Sequence, residues 1–387
     1  MKTALLIDAA PLVSDRVQPF DGERPYIATG GLDDDGNLSP EMVTYENRPS
    51  RADITILPGD ICMARMQGTV KVFLLGPTHS NLILSTGFAI FRPIHDQLDS
   101  RYLYHYLRTK HIQNAKDSMC TGATQKAITN EKISTLEIPI PPLVEQRRIA
   151  EILDRAEVLR VKRSAALAQL DNLTQSIFYD IFGDLRSMDL VPLESLASKK
   201  QYALSSGPFG SSLTSKHYVN EGTLVLRGLN VTGGDINLHD CKFVSESKAQ
   251  ELARSAIAPG DIVIVAVGSS GFACLVPIGF PPAIMSQNFN KITPNICVVD
   301  PTYLCFALNN KFVQRQFSQN ITDTVRTFLS LTKVKKVLVP LPPLPLQYEF
   351  ARRVAAVERL KTAHRTSLEK WDELFASLQY RAFREEL

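Results

Sequence analysis

The sequence contains no long run of apolar residues. The longest one, Ile262–Val267, is far shorter than the roughly 20 residues that a helix needs to cross a bilayer. At the start of the chain, Met1–Leu6 is followed almost at once by Asp8, so that the apolar core of a secretory signal cannot form. We therefore predict a cytoplasmic protein without membrane-spanning segments.

Cysteine is scarce, and no two cysteines have the CxxC spacing of a metal or redox site. We therefore predict buried free thiols rather than a disulfide framework or a zinc site. The six residues are Cys62, Cys120, Cys241, Cys274, Cys297 and Cys305.

The chain also has little excess charge, with a net charge of +3. Residues 1–142 carry 14 basic and 16 acidic side chains, whereas residues 187–343 carry 14 and 10. A protein that coats DNA without sequence preference would be far more basic. Charge alone therefore does not indicate a nucleic-acid partner.

Catalytic motifs are missing as well. Asp33–Asn37 lacks the glycine and glutamate spacing of a calcium loop, and Gly207–Lys216 lacks the spacing of a phosphate-binding loop. Asp235 with Asp240–Lys242 faintly resembles a nuclease site, but so short a pattern arises by chance in most chains of this length. We predict no catalytic centre, no metal and no cofactor in this chain. A DNA-modifying enzyme with an unrecognised catalytic site is the alternative.

The sequence does contain an internal repeat. Ile138–Leu143 returns 201 residues later as Val339–Leu344, and the same step relates Pro58–Asp60 to Pro259–Asp261. Several landmarks in one register indicate two copies of one unit. The same step also relates Asp99 to Asp300, Tyr102 to Tyr303, Leu103 to Leu304, Lys132 to Lys333, and Gln146 to Gln347.

Each copy ends in a long amphipathic helix pattern. Leu143–Phe182 and Leu346–Leu387 contain neither glycine nor proline, and Gly183 provides a stop for the first helix. Apolar residues recur mainly at steps of three and four and form one narrow stripe along each helix. This stripe predicts that the helices pack on each other as a coiled coil, parallel or antiparallel. The alternative is that each helix folds back on its own block. The predicted interface residues are Ile149, Ile152, Leu159, Leu170, Leu173, Ile177, Phe350, Val354, Val357, Leu368, Trp371 and Leu378.

The blocks before the helices read as mixed α/β domains. Helices are predicted near Ser100–Asn114 and Pro301–Phe317. The predicted division is a first domain at 1–142, a central helix at 143–186, a second domain at 187–343 and a C-terminal helix at 344–387. Predicted strands, set between glycine, proline and asparagine turns, include Ile54–Leu57, Val70–Leu75, Leu82–Leu84, Thr223–Leu226, Ile262–Val267 and Ile296–Val299.

Several stretches together resemble the specificity subunits of type I restriction-modification systems. The proline hinge and the start of the first helix lie in Ile138–Ala150, and Ser176–Asp184 closes that helix. In the second block, the matching stretches are Ser206–Ser212, Val225–Asn230 and Pro259–Asp261. Because the hinge-and-helix signature occurs twice, the resemblance covers nearly the whole chain.

The resemblance implies two target-recognition domains, each of which reads one half of a bipartite, asymmetric site in double-stranded DNA. The long helices would pair antiparallel, set the spacing between the half-sites and dock two modification (methyltransferase) subunits, to which two restriction subunits can add. Methyl transfer and ATP-dependent cleavage would belong to those partners, together with S-adenosylmethionine, ATP and Mg²⁺. The chain itself would be a non-catalytic subunit.

Polar side chains in loops beside the predicted strands are the candidates for DNA contacts, because base edges are read by such groups. A coiled-coil scaffold without DNA binding is the remaining alternative. The candidates are Arg65, Gln67, Lys71, Thr124, Gln125 and Lys126 in the first domain, and Arg227, Ser269, Gln287, Asn288, Lys291 and Arg326 in the second.

Overall fold

A computed structural model describes residues 3–33, 36–123, 125–185, 188–232, 234–267, 271–319 and 328–384. The chain divides into two compact units. Unit 1 consists of Met1–Leu167 and His364–Leu387, and unit 2 is Ala168–Ala363. Each of the two long helices therefore contributes one part to each unit.

Unit 1 has mixed α/β architecture. Its elements are β1 (Thr3–Leu5), α1 (Leu6–Ala9), β2 (Arg24–Ile27), β3 (Glu41–Val43), β4 (Ala52–Thr55), β5 (Ile61–Ala64), β6 (Val72–Leu74), β7 (Ile83–Ser85), β8 (Phe88–Phe91), α2 (Ser100–Leu107), α3 (Lys110–Met119), α4 (Asn130–Ile133), β9 (Glu137–Pro139) and the first part of α5 (Leu143–Phe182). The sheets have the strand orders β3-β2-β7-β4, β6-β5-β8 and β1-β9, and among the described strands of this unit only the pair of β2 with β7 is parallel.

Unit 2 repeats this architecture with additional strands. Its elements are β10 (Leu190–Pro192), β11 (Leu204–Ser206), β12 (Thr223–Leu226), β13 (Val231–Thr232), β14 (Asp235–Ile236), β15 (Lys242–Val244), α6 (Glu246–Glu251), β16 (Ala256–Ile257), β17 (Ile262–Val265), β18 (Ala273–Leu275), β19 (Ala283–Met285), β20 (Phe289–Ile292), α7 (Pro301–Asn309), α8 (Lys311–Gln319), α9 (Leu331–Lys336), β21 (Leu338–Pro340) and the first part of α10 (Leu344–Ala382). The sheets have the orders β15-β12-β19-β16, β11-β20-β17-β18, β10-β21 and β13-β14, and here β12 and β19 are parallel.

The internal repeat is a repeat of structure. β5, β8, α2, α3, β9 and α5 each have a counterpart that begins 201 residues later, in β17, β20, α7, α8, β21 and α10. The Pro-Gly-Asp landmark makes the same turn twice. Gly59 and Gly260 have positive φ angles of 95° and 88°, and the following Asp60 and Asp261 are buried. Two copies of one mixed α/β unit, as predicted, therefore make up the chain.

The repeated glutamine of the hinge has the same role in both copies. The side-chain oxygen of Gln146 accepts a hydrogen bond from the backbone N–H of Asp99 (2.9 Å), and Gln347 does the same for Asp300 (2.8 Å). The hydroxyl of Tyr102 donates to the carbonyl of the first hinge proline (2.9 Å). Buried polar groups must be paired, so these residues fix where the hinge leaves each block.

The two long helices run antiparallel within each unit, as the resemblance implied. In unit 2, residues nearer the C-terminus of α5 pair with residues nearer the N-terminus of α10. The side-chain pairs between the helices are Arg160–Asp372 (2.6 Å) and Arg163–His364 (3.3 Å) in unit 1 and Asp171–Lys361 (2.7 Å) and Asp180–Arg353 (3.6 Å) in unit 2.

The predicted interface residues of the helices are not equally buried. Ile149, Phe350, Val354 and Val357 are buried, and Ile149 and Phe350 pack on the globular part of their own units. Leu159 and Leu173 are 46% and 45% exposed, so they add little to a core between the helices, and a contact with a partner stays a prediction for them. The remaining ones, Ile152, Leu170, Ile177, Leu368, Trp371 and Leu378, are half-buried.

One predicted strand is wrong. Ile296–Val299 forms a turn, because Asn295 accepts hydrogen bonds from the backbone N–H groups of the residues that follow it. Ile296 is 66% exposed in this turn. The apolar run misled the prediction because it has the composition of a strand.

All six cysteines lie in described parts of the chain and are free thiols, but the predicted burial holds for Cys62, Cys274 and Cys305 and is wrong for Cys297, which is exposed. Cys62 and Cys305 are buried, and burial raises the pKa of each thiol to about 12. Over the described residues, no helix is both long and apolar enough to span a membrane.

Candidate nucleic-acid interfaces

In unit 1, a hairpin and a neighbouring loop form a polar surface. The hairpin joins β5 to β6, and the loop follows α3. The backbone N–H of Gln67 donates to the carbonyl of Lys126 (2.9 Å), and Met66 pairs with Ala127 in a β-bridge. Gln67, Gln125 and Lys126 are exposed, so the structure brings three of the predicted DNA-binding residues together. We name the hairpin residues 65–71 with loop residues 121–123 and 125–128 the first polar surface.

Two other candidates on the first polar surface point inwards. The Nε of Arg65 donates to the carbonyl of Phe88 (3.0 Å), and Nη1 donates to the carbonyl of Ile128 (3.3 Å). Burial lowers the pKa of Arg65. The ammonium of Lys71 donates to the carbonyl of Thr29 (3.3 Å). Both side chains hold loops in place, and their contact with DNA stays a prediction.

In unit 2, three candidates line one cavity of about 250 Å³. It lies beyond the carboxyl ends of the parallel strands β12 and β19, where ligand sites of α/β sheets commonly occur. Arg227 follows β12, while Gln287 and Asn288 lie between β19 and β20. We name this cavity and its rim the second polar surface.

Arg227 is held in one orientation by Asp240. The guanidinium Nη2 lies 3.0 Å from the carboxylate of Asp240, which Lys242 also contacts at 3.3 Å. These hydrogen bonds, first that of Arg227 and then that of Lys242, lower the pKa of Asp240. Within the described part of the chain, Arg227 Nε and Ser286 Oγ are buried atoms without a hydrogen-bond partner, and both residues line the cavity.

Gly207 explains why the Gly-Pro-Phe-Gly stretch lies beside this cavity. A Cβ atom at this position would meet the carbonyl of Ser286 at 1.9 Å, so that only glycine permits the approach. The N–H of Gly207 donates to the carbonyl of Phe289 (2.9 Å). The stretch therefore begins against the backbone of Ser286 and Gln287, two of the residues that line the cavity.

Lys291 is not an exposed loop residue, and that expectation is wrong. It lies in β20, is 7% exposed, and its ammonium donates to the carbonyl of Ala256 (2.5 Å) and contacts Asp261 (3.4 Å). A lysine at this position is buried because Asp261 neutralises it. Thr124, Ser269 and Arg326 lie outside the described residues.

Sequence reasoning missed three residues of these surfaces. Ser286 lines the second polar surface, and Lys116 and Asp117 support the first polar surface from α3. The repeat contained a signal for Lys116, because the residue 201 positions later is Phe317, a core residue. A lysine aligned with a buried aromatic residue indicates a buried cation. No group of histidine, cysteine and acidic residues suited to a metal ion occurs in the described ranges.

Comparison with known families gives a match over most of the chain. The model of the type I restriction modification DNA specificity domain matches residues 13–167 and 227–370. Three characterised relatives are specificity subunits of type I restriction enzymes. EcoBI of Escherichia coli is 22% identical over 318 residues, covering 76% of this chain and 66% of that protein. EcoKI of Escherichia coli is 25% identical (94% and 82% covered), and MjaVIII of Methanocaldococcus jannaschii is 21% identical (89% and 81%). The first alignment thus spans just under two thirds of the relative.

Solved structures agree on the fold. A chain from a study of assembly and conformational transition in a type I restriction-modification system has a TM-score of 0.60 at 20% identity, with 100% of this chain and 98% of that chain covered. The S subunit of a type I restriction-modification system from M. genitalium has a TM-score of 0.59 at 17% identity, with 99% and 96% covered.

Proposed function

The chain belongs to the family of type I restriction-modification DNA specificity domains, and from this premise we propose that it is the DNA-recognition subunit of such a system. The observation that carries the proposal is that the same structural unit occurs twice and that its two copies present different polar side chains. The first polar surface presents Gln67, Gln125 and Lys126, whereas the second presents Arg227 and Gln287 with its neighbour Asn288. Two unlike reading surfaces suit a bipartite, asymmetric site.

The first polar surface carries side chains of two kinds. Glutamine amides such as those of Gln67 and Gln125 can bind adenine with two hydrogen bonds in the major groove, and each good pair is worth about 1–3 kcal/mol of discrimination. Lys126 can bind either guanine or a backbone phosphate, and a phosphate contact fixes the register without reading sequence. Half of the target would be read here.

The second polar surface has the groups for a guanine and an adenine. An arginine held by a carboxylate, as Arg227 is by Asp240, is already oriented and loses little freedom on binding. Asn288 and Gln287 provide amides of the kind that bind adenine. Ser286 adds a buried hydroxyl to the lining of the cavity.

The helices would set the distance between the half-sites and dock two modification subunits, to which two restriction subunits can add. Exposed apolar side chains on the helices support a docking role, among them Val144 (79% exposed) and Val161 (62%). S-adenosylmethionine, ATP and Mg²⁺ would be bound by those partners, and this chain would add no catalysis. The modest net charge of the chain suits weak binding to DNA when the chain is alone. In the cytoplasm, the partner subunits would complete the contacts with DNA.

The test is to express the chain with its modification subunit and to map the methylated sites. We expect a bipartite motif. Gln125→Ala with Lys126→Ala should relax one half of the motif, and the matched pair Gln287→Ala with Asn288→Ala should relax the other half. Equal damage to both halves by either pair would contradict the assignment of one surface to one half-site.

The spacer role is tested separately by inserting one helical turn next to Ala165 and Ala166. Because a turn adds about 5.4 Å to the helix, the gap between the half-sites should change while both half-sites stay the same. Changed half-sites with an unchanged gap would exclude the role of α5 as a spacer.

A further inference from the structure

Lys116 is a charged side chain in the core of unit 1. It lies in α3 and is 0% exposed, although lysine is almost never fully buried unless it is paired. The structural counterpart in α8 is Phe317, which is equally buried. The charge of Lys116 therefore needs a specific reason at this position.

The ammonium of Lys116 lies directly beneath the tip of the hairpin of the first polar surface. It donates to the carbonyls of Thr69 (2.5 Å) and Met66 (3.2 Å) and contacts the carboxylate of Asp117 (3.2 Å). An ammonium has three N–H donors, and these are three acceptors. The hairpin tip thus provides two of the groups that make burial of this cation tolerable.

Asp117 holds the same tip from its other side. Its Oδ1 accepts a hydrogen bond from the backbone N–H of Gly68 (3.1 Å), and its carbonyl accepts one from the side-chain amide of Gln67 (3.3 Å). Gly68 has a positive φ of 74°, so the turn that the carboxylate holds is one that favours glycine. Lys116 and Asp117 together bind every residue from 66 to 69.

In unit 2, an aromatic ring takes the place of the ammonium, because Phe317 is the counterpart of Lys116. Gly271 has a positive φ of 94°, and a Cβ atom there would meet the ring of Phe317 at 2.9 Å. The side-chain amide of Gln314 also donates to the carbonyl of Gly271 (2.9 Å). The hairpin between β17 and β18 is thus contacted by an aromatic ring at Gly271, the position that corresponds to Val70, whereas Lys116 and Asp117 hold residues 66–69 in unit 1.

We propose that Lys116 and Asp117 are positioning residues that set the conformation of the hairpin tip 66–69 and thereby the sequence preference at the half-site read by unit 1. This inference rests on the proposed function. Neither side chain needs to touch DNA, because Gln67 lies next to Lys126 only while the tip keeps its shape. Replacement of Lys116 by an apolar residue would remove the ammonium donor from the carbonyl of Thr69 and leave the carbonyl of Met66 with the hydroxyl of Thr69 (2.9 Å), and the tip would shift to solvate the carbonyl of Thr69.

The experiment uses the complex of this chain with its modification subunit. Methylation mapping of the wild-type complex defines the motif, and duplexes with that motif or with single base-pair changes in either half serve as probes. Lys116→Met should lower the discrimination against single base-pair changes in one half about tenfold, which is the effect expected when one buried polar group loses its hydrogen-bond partner, and should leave discrimination in the other half within about twofold. Asp117→Asn, which keeps an acceptor for Gly68, should have a smaller effect on the same half. Phe317→Leu, the matched control, should affect only the other half.

The outcomes separate the inference from the proposed function. Melting curves and the DNA-binding active fraction are measured for every variant, because a merely structural role would lower these without changing discrimination in the active fraction. Unchanged discrimination in both halves, or an equal loss in both, overturns the inference. A wild-type complex that directs no bipartite methylation overturns the proposed function, and the inference with it.

Discussion

At one matched position, the two units attach a long helix to the globular part by different chemistry. In unit 1, the buried ring of His105 lies 2.7 Å from the carboxylate of Asp154 on α5, which also pairs with Arg101 (3.0 Å). In unit 2, the counterpart of His105 is Phe306, whose ring lies 5.1 Å from that of Phe350 on α10. The same junction is thus polar in one copy and aromatic in the other.

The repeated frame therefore accommodates two kinds of partner at this position, provided that each pair is complete. A histidine with an aspartate needs both members, because either one alone leaves a buried polar group. An aromatic cluster depends on area and shape, and is insensitive to salt and pH. The hairpin supports follow the same division, with Lys116 in unit 1 and Phe317 in unit 2. Stability of unit 1 should therefore respond to solution conditions that leave unit 2 unchanged at this junction.

The largest effect is expected at the aromatic junction. Phe350 is 0% exposed and contacts the rings of Phe178 (5.3 Å) and Phe182 (5.4 Å). Phe350→Ala should destabilise unit 2 by about 3–5 kcal/mol, because a large cavity would remain. Hydrogen exchange of peptides from each unit measures the loss separately, and Ile149→Ala, at the matching position of α5, is the control for unit 1. A loss below about 1 kcal/mol would mean that the cluster is dispensable.

A smaller effect is expected at the polar junction. Asp154→Ala leaves the ring of His105 buried without its partner, which costs about 1–3 kcal/mol. Trp371, the single tryptophan of the chain, lies in the part of α10 that belongs to unit 1, so its fluorescence reports urea unfolding of that unit. Hydrogen exchange in unit 2 should stay unchanged. Equal destabilisation of both units would show that this junction is not local.

The same aspartate makes unit 1 sensitive to acid. Burial alone would raise the pKa of Asp154, but hydrogen bonds and charges from His105 and Arg101 outweigh it and hold the pKa below its ordinary value. A carboxylate with a lowered pKa stabilises the fold at every pH above its pKa in the unfolded chain, which is about 3.9. This stabilisation is lost as the pH falls through the lower pKa of the folded state. The free energy of urea unfolding of unit 1 should therefore fall more steeply below about pH 4 in the wild type than in Asp154→Ala. Identical acid curves would assign the acid sensitivity to other groups.

The residues that could be predicted from the sequence are those that the two copies share. Asp99 caps α2 and Asp300 caps α7, each by accepting backbone N–H groups of the first turn, and Gln146 and Gln347 bind them at the hinge. Such groups are local, and their spacing along the chain is fixed by one turn or one hinge. Periodicity alone also located both long helices, because neither glycine nor proline interrupts them.

What could not be predicted depends on partners far away in the chain. Lys291 has the composition of a surface residue, yet Asp261, 30 residues earlier, draws it into the core. Arg65 similarly satisfies the carbonyl of Ile128, 63 residues later. Single-sequence reasoning identifies polar side chains but not which of them already have a partner, so it selected inward and outward side chains alike.

The smallest effect is expected in the middle of the helix pair, where unit 2 has its own polar contact. Lys361 is 6% exposed, and its ammonium lies 2.7 Å from both Asp171 and Glu358. Burial lowers the pKa of Lys361, but the hydrogen bonds of the two carboxylates outweigh it and the pKa is raised, so the contribution to stability is present at neutral pH and is lost only as the pH rises past about 10.4. Because both carboxylates remain exposed to water, Lys361→Met should change the free energy of unfolding by about 1 kcal/mol or less.

Arg359→Met, at an exposed position of the same helix, is the matched control for lost charge. Hydrogen exchange of peptides from α5 and α10 within unit 2 compares the two variants with the wild type. If Lys361→Met alone lowered the free energy of unfolding by well above about 2 kcal/mol, Lys361 would be a buried polar group that the fold requires, like Lys116 and His105. The division between a polar unit 1 and an aromatic unit 2 would then hold at the junctions and hairpins but not along the helices.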